Sequence, residues 1–386
     1  MVRPPAIALV WGALAGAAAA VVYLAMTGAQ HLIWPEGFAR WYIPIAVLAG
    51  GTLIALIRPH TDDGSIEDQL SSAADPTHLR RKRTAALALS AIIAYGFGGA
   101  IGPEAGLLAV VAELSALVSA RIARSEREAR LIGQSGSAAA LAGLYGSPPG
   151  GAAYEDDTLA PGKVLALLAG GSGFLAFLVL NRTLGAGHTD LGLPLYDHSS
   201  GQLALAILPA VLGAAIGLSF NALHDLCTRL LSRAGSLRRQ TLIGSAALAA
   251  LATLFPVALF SGHHQMGELI QLVDDGAWAL LAAAAVVKIV ATSITVSSGW
   301  RGGEFFPLLF AGAAAGSVAT FVLPDLQLST AAIAGLAAST TVGLKKPVAA
   351  VLICALLIGQ LAWGPLIVGA TIGMGVTGLR RQSTGH

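Results

Sequence analysis

The sequence predicts an all-α polytopic membrane protein built from two inverted halves with discontinuous helices. Of its 386 residues, 55% are hydrophobic and only 11% are charged, whereas soluble domains carry about 25% charged residues. Some apolar runs are long enough to cross a bilayer and others are too short or too rich in glycine. A glycine- and proline-bearing pattern also occurs once in each half of the chain. Broken helices are tolerated in a membrane only inside protein or along a cavity, which favours a channel or transporter.

Apolar runs mark the candidate membrane helices, because a spanning helix needs about 20 apolar residues. The first run lacks a small-residue cleavage site followed by a polar chain, so we interpret it as a retained helix and not a signal peptide. The candidates are 6–27, 40–57, 84–97, 104–122, 130–146, 163–182, 203–224, 240–260, 277–296, 305–323, 329–343, 347–360 and 362–378.

Charged and polar loops set the predicted topology and the domain boundaries. The polar stretch 184–202 has no lysine or arginine and is predicted to be an external linker between a first half, 1–183, and a second half, 203–386. No cytoplasmic regulatory domain is expected. Basic residues cluster in loops that the positive-inside rule assigns to the cytoplasm, namely Arg80–Arg83, Arg121–Arg130, Arg229–Arg239 and Arg380–Arg381.

The first glycine-rich turn, residues 98–106, reads Gly-Gly-Ala-Ile-Gly-Pro-Glu-Ala-Gly. Proline is well suited to the first turn of a helix, where its missing N–H is not needed. A glutamate there complements the positive end of the helix dipole, and glycines allow other groups to approach the backbone closely. The turn therefore predicts a helix N-terminus at Pro103 and Glu104, inside an apolar region.

A second turn, residues 298–307, has the same character and reads Ser-Gly-Trp-Arg-Gly-Gly-Glu-Phe-Phe-Pro. Pro103 is followed 45 residues later by Pro148, and Pro307 is followed 40 residues later by Pro347. Each half thus contains a glycine-rich turn, a small-residue helix and another helix that begins with proline. Two helix N-termini inside an apolar protein predict an anion-binding site near the middle of the membrane.

These residues resemble the CLC family of chloride channels and proton-coupled chloride exchangers. Gly303, Phe305 and Pro307 stand at the positions of the family's Gly-x-Phe-x-Pro motif, after an apolar helix that carries Lys288. The segment 99–103, Gly-Ala-Ile-Gly-Pro, matches the glycines and proline of the family's first motif. The resemblance implies a homodimer with one pore in each subunit. It also implies an ion-binding set, which we predict to comprise Gly99, Ile101, Gly102, Pro103, Glu104, Gly303, Glu304, Phe305 and Pro307.

The departures from the family pattern bear on mechanism. Ile101 stands where the family has its gating glutamate, and Thr158 stands where exchangers have an inner acid. The segment 63–67 matches the family's serine-bearing anion motif poorly, and the tyrosine at the inner end of the family's pore has no counterpart. The acids that could act as gate or proton carrier are therefore Glu104, Glu113 and Asp157.

Charged residues near the two turns leave alternatives open. Arg301 is predicted to pair with Glu304, or else to attract the anion directly. Lys288 could be a pore charge or could extend to an interface, and the resemblance favours a role in shaping the electric field. His263 and His264 lack the spacing of a zinc hydrolase, so no metal is expected.

The sequence as a whole predicts passage of a small inorganic anion, chloride or a relative, across a bacterial inner membrane. Passive conduction is favoured, with a proton-coupled exchanger gated by Glu104 as the alternative. Other classes are an intramembrane enzyme at the histidine loop and a non-conducting scaffold, and we expect neither. No cofactor and no nucleic-acid partner are expected, because the basic residues lie in short loops.

Overall fold

A computed structural model describes residues 3–61, 81–184, 191–199 and 201–383, and these residues form helices and no strand. In chain order the helices are α1 Arg3–Ile33, α2 Tyr42–Ile57, α3 Arg81–Gly96, α4 Glu104–Ile122, α5 Glu126–Tyr145, α6 Pro148–Ala153, α7 Val164–Thr183, α8 Gly201–Leu205, α9 Ile207–Ser232, α10 Leu237–Leu254, α11 Met266–Asp274, α12 Trp278–Ser297, α13 Phe305–Ser317, α14 Leu328–Leu344, α15 Pro347–Leu357 and α16 Trp363–Ser383.

The all-α membrane fold predicted from the sequence is confirmed. Each predicted span coincides with a helix, the short helices α6 and α11 lie outside the predicted spans, and α8 overlaps the start of the span 203–224. Within the described chain, six helices are long and apolar enough to cross a membrane. Three predicted features fall wholly or partly outside the described residues: the segment 63–67, Arg80 in the first basic cluster, and residues 185–190 and 200 of the linker.

Two of the shorter helices lie in the interior of the protein. Every residue of α13 is buried, and so is α14 from Ser329 to Gly343. Helices of 13 and 17 residues are too short to face lipid along a full bilayer crossing, which takes about 20 residues. Burial inside protein satisfies the backbone groups that a broken helix leaves at its ends.

The two halves repeat the same backbone features at matching positions. Gly98 has φ 86° and Gly299 has φ 88°, each four residues before a glycine of the central bridge described below. The second helix after each turn, α5 or α14, ends at a residue in the left-handed conformation. These residues are Gly146 with φ 65° and Lys345 with φ 58°. A proline-started helix then follows in each half. The repeated pattern in the sequence is therefore also present in the backbone.

Small residues bring the surrounding helices into close contact. A Cβ atom at Gly16 of α1 would collide with the backbone of Gly173 in α7, and one at Gly213 of α9 would collide with Gly335 in α14. Without a hydrophobic driving force between helices in lipid, such backbone approach is the main source of packing energy. These contacts hold the buried helices and the two glycine-rich turns in place.

Candidate functional site

The two glycine-rich turns meet in a reciprocal backbone bridge. The N–H of Gly102 donates to the carbonyl of Gly303 over 2.8 Å, and the N–H of Gly303 donates to the carbonyl of Gly102 over 3.0 Å. Helix α4 begins at Glu104 and α13 begins at Phe305, directly after the bridge. The positive ends of two helix dipoles therefore converge on one buried point.

Side chains from each turn fill the space left by a glycine of the other. A Cβ atom at Gly302 would collide with Ile101, and one at Gly99 would lie 2.9 Å from the Trp300 ring. Counted along the sequence from the bridging glycines Gly102 and Gly303, Ile101 occupies the same position as Gly302, and Gly99 the same position as Trp300. Each bulky side chain thus packs against the glycine at its own repeated position. This packing explains why a large apolar residue is accommodated at Ile101.

The carboxylate of Glu104 lies at the junction of the two turns and is 0% exposed. It lies so close to Gly102 and Gly303 that a Cβ atom at either glycine would collide with it. The hydroxyl of Tyr145 donates to Oε1 of this carboxylate over 3.1 Å, and Oε2 is buried with no hydrogen-bond partner among the described residues. A negative charge is therefore held at the point where two helix N-termini meet.

The backbone donors of the predicted ion-binding set are partly engaged within the protein. The N–H of Ile101 donates to the carbonyl of Gly99 over 2.8 Å, and that of Gly102 takes part in the bridge. Pro103 and Pro307 have no N–H to offer. The first turn of α13 contributes the N–H groups of Phe305 and Phe306, which have no acceptor within their own helix. The roles of these residues toward an ion stay a prediction.

Tyr145 is a residue of this site that the sequence did not single out. It is the last residue of α5 and is 0% exposed, with its ring 4.9 Å from that of Phe305 and 5.7 Å from that of Phe306. The only sequence feature that could have indicated its role is a tyrosine, with its polar hydroxyl, at the end of a helix rich in small residues. Buried tyrosine hydroxyls need a partner, and here the partner is Glu104.

A cavity of about 510 Å³ reaches the second turn from one face of the protein. Ser232, Leu237 and Gln240 line this cavity, and they lie within or directly beside the basic segment Arg229–Arg239, which the sequence assigns to the cytoplasm. The cavity wall also includes Gly302. Besides Tyr154, its ionisable lining consists of Arg58, His224, Arg301, Glu304, Lys345 and Lys346. The excess of basic groups makes the cavity favourable for anions.

Arg301 and Glu304 both lie on the wall of this cavity. Glu304 is the residue that precedes the first turn of α13, and its carbonyl accepts the N–H of Leu308. The two residues are thus both at the mouth of the second turn, as the sequence predicts. Their mutual pairing stays a prediction.

Lys288 and His263 lie in a different part of the interior. Lys288 is 0% exposed and donates to the carbonyls of Leu259 and Phe260 and to Oε1 of Gln265, over 2.9, 3.2 and 3.0 Å. Its ammonium group is held inside the protein and does not extend to an interface. His263 Nδ1 lies 2.6 Å from the hydroxyl of Ser261. In the described part of the chain, no group of three His, Cys, Asp or Glu residues could hold a metal ion.

The other two acids proposed as proton carriers lie away from the junction. Glu113 is nine residues beyond Glu104 on α4, which is about two and a half helical turns, so the two residues lie on opposite sides of that helix. Asp157 has φ 57°, and its Oδ1 accepts the N–H of Ala349 over 2.9 Å. Asp157 of the first half therefore caps the N-terminus of α15 in the second half.

Helices that are broken inside the membrane and open onto a polar cavity define a channel or transporter. The chain belongs to the CLC family, because the family described as voltage gated chloride channel matches residues 45–378. This membership confirms the resemblance found in the sequence. Membership in this family indicates that the general activity of this chain is anion transport.

Two individual proteins with sequences similar to this chain are each 26% identical to it over the aligned region. The "Putative ion-transport protein YfeO" of Shigella flexneri is 26% identical over 316 residues, which cover 74% of this chain and 72% of that protein. The YfeO protein of Escherichia coli strain 55989 is 26% identical over 325 residues, covering 77% of this chain and 74% of that one.

Solved structures share the fold. A CLC-type fluoride/proton antiporter aligns with a TM-score of 0.74 and 19% identity, covering 97% of this chain and 95% of that one. A slow cyanobacterial Cl⁻/H⁺ antiporter aligns with a TM-score of 0.78 and 18% identity over the same shares. At this level of identity, the similarity establishes the architecture of the chain and leaves the transported ion to other arguments.

Proposed function

We propose that this protein exchanges a small inorganic anion, chloride or a relative, for protons across a membrane, with Glu104 as the gate. One observation carries the proposal: the carboxylate of Glu104 lies where the N-termini of α4 and α13 meet and is hydrogen-bonded by Tyr145. The groups that hold this carboxylate are the groups that would bind an anion. Carboxylate and anion therefore compete, and protonation of Glu104 weakens its hold on the junction.

Competition of this kind couples the two ions. When the carboxylate is charged, it occupies the junction and excludes the anion. When it binds a proton, the dipoles and N–H groups favour an incoming anion instead. The basic cavity supplies anions to the junction from one side. Two solved structures of the same fold are described as fluoride/proton and chloride/proton antiporters, which agrees with this proposal.

Passive conduction is the second candidate, and a specific observation favours it. Ile101 stands where the resemblance places the gating acid and Thr158 where it places the inner acid, so an uncoupled pathway gated by Glu104 alone is also chemically reasonable. Family membership favours both transport proposals over the enzyme and scaffold alternatives. The predicted homodimer, the division into halves 1–183 and 203–386 and the location in a bacterial inner membrane belong to the same proposal.

The test is ion movement in liposomes that contain the purified full-length protein. Chloride efflux and proton uptake are recorded together, with and without a proton ionophore, and then under a potassium or sodium gradient. Exchange predicts that chloride efflux drives proton uptake and that Glu104→Gln abolishes the proton flux. The matched control is Glu126→Gln, which changes an exposed acid in the first turn of α5 and should leave both fluxes unchanged. Chloride efflux without proton movement would support passive conduction, and flux of cations alone would contradict both candidates.

A further inference from the structure

The junction and the cavity are connected through two tyrosines. Tyr145 donates to Glu104, and its hydroxyl also interacts with the side chain of Tyr154. The two rings lie 5.9 Å apart and are inclined by 30°. Tyr154 is 5% exposed and lines the basic cavity. The order from the cavity inward is therefore Tyr154, Tyr145 and Glu104.

The other neighbours of Tyr145 cannot carry a proton. Phe305 and Phe306 pack against its ring, and neither has an exchangeable hydrogen. Tyr95 is also buried and interacts electrostatically with Glu104. It is, however, absent from the residues that line the cavity. The two tyrosine hydroxyls thus provide a path of polar groups between Glu104 and this cavity.

The cavity wall beside Tyr154 is basic and holds that residue in position. The ammonium group of Lys346 lies 4.8 Å from the centre of the Tyr154 ring and donates to the Tyr154 carbonyl over 2.7 Å. Asp157, the nearby acid that the sequence offered as a proton carrier, accepts an N–H of α15 instead. A neutral hydroxyl is better suited than a second carboxylate to pass protons where anions must also gather, because it does not repel them.

We propose that Tyr154 and Tyr145 form a proton relay between the cavity and Glu104, an inference that rests on the exchange function proposed above. When a proton moves from the cavity toward Glu104, Tyr145 transfers its hydroxyl proton to Oε1 of Glu104 and receives the hydroxyl proton of Tyr154. Tyr154 is reprotonated by a hydronium ion that enters the cavity from solution and is left there as water. One O–H bond breaks and one forms at each tyrosine oxygen, so both tyrosines end neutral and one proton reaches the carboxylate. The reverse sequence carries a proton outward.

Tyr154→Phe tests the relay, because it removes one hydroxyl and keeps the ring. In liposomes that contain the full-length variant, proton uptake should fall by roughly 100-fold, the lower end of what a positioned proton donor contributes. Chloride efflux should persist, because Glu104 can still take and return a proton on the side opposite the cavity. Tyr145→Phe should also lower proton uptake. The control is Tyr95→Phe, a buried tyrosine near Glu104, which should keep the proton-to-chloride ratio of the wild-type protein. Fluoride replaces chloride in a second series.

The outcomes separate the relay from the exchange function. If wild-type protein exchanges chloride for protons and Glu104→Gln abolishes this, but Tyr154→Phe keeps the full ratio, the relay is wrong and the exchange function stands. An equal loss of proton uptake in Tyr95→Phe would also overturn the relay, because it would indicate a general effect of removing buried hydroxyls. If the wild-type protein moves no protons, both proposals fail together. A thermal unfolding curve for each variant shows that the fold is retained.

Discussion

The carboxylate of Glu104 occupies the space beside Gly303 that a side chain would otherwise fill. The two residues come from different halves of the chain and lie about two hundred residues apart in sequence. Their contact depends on the reciprocal bridge between Gly102 and Gly303. The acid thus lies against the backbone of the half of the protein to which it does not belong, while Tyr145 of its own half donates to it.

The first prediction concerns this contact. In Gly303→Ala the new methyl group collides with the Glu104 carboxylate, so we expect a loss of about 1–3 kcal/mol in unfolding free energy. Glu104→Ala removes the colliding group. In that background the additional loss from Gly303→Ala should largely disappear, which a double-mutant cycle of thermal unfolding in detergent measures.

Gly267→Ala is the matched control for this cycle, because no atom lies within 4 Å of a Cβ at that position. It should change the unfolding temperature little in either background. A loss for Gly303→Ala that is equally large with and without the Glu104 side chain would contradict the contact.

A second prediction concerns Lys288. Replacing it with methionine leaves two carbonyls and one amide oxygen without their donor in a buried site. Unpaired buried groups cost about 1–3 kcal/mol each, so Lys288→Met should lower the unfolding temperature strongly. Arg124→Met, a change at an exposed loop residue, provides the comparison. If both variants unfold at the wild-type temperature, Lys288 does not anchor the loop from Leu259 to Gln265.

The third prediction concerns the pH dependence of stability at Asp157. Burial raises the pKa of this carboxyl above its ordinary value of 3.8, and the N–H groups of Ala349 and Val348 and the charge of Lys346 only partly offset this. A raised pKa means that the folded state binds the proton more tightly than the unfolded state does. The resulting stabilisation is present below the unfolded-state pKa and is lost as the pH rises through the folded-state pKa.

Asp157→Asn keeps a hydrogen-bond acceptor for α15 and suits the positive φ of this position, but it cannot ionise. We therefore expect the unfolding temperature of the wild-type protein, relative to Asp157→Asn, to increase as the pH falls from about 7 to about 4. Asp157→Ala also removes the cap and should be about 1 kcal/mol less stable than Asp157→Asn. A difference between wild type and Asp157→Asn that stays constant over this range, or changes in the opposite direction, would refute the assignment.

Sequence reasoning located the helix that begins at Glu104 and the one that begins at Phe305, because proline, glycine and glutamate at a helix start act through local backbone geometry. It also located the membrane spans, since apolar length is set by the thickness of the bilayer. It left open the surroundings of Lys288, and it did not single out Tyr145 or Tyr154. Their roles depend on neighbours far away in the chain.

The sequence by itself determined that this is a helical membrane protein of the CLC type with two helix N-termini inside the protein, which it predicts to bind an anion. Local propensities and hydrophobic length carry that information. Only the tertiary structure decided that Glu104 lies against Gly303, that Tyr145 donates to it, and that Asp157 caps α15. The first and the last of these contacts join the two halves, and all three depend on helix packing through glycines, which no local pattern encodes.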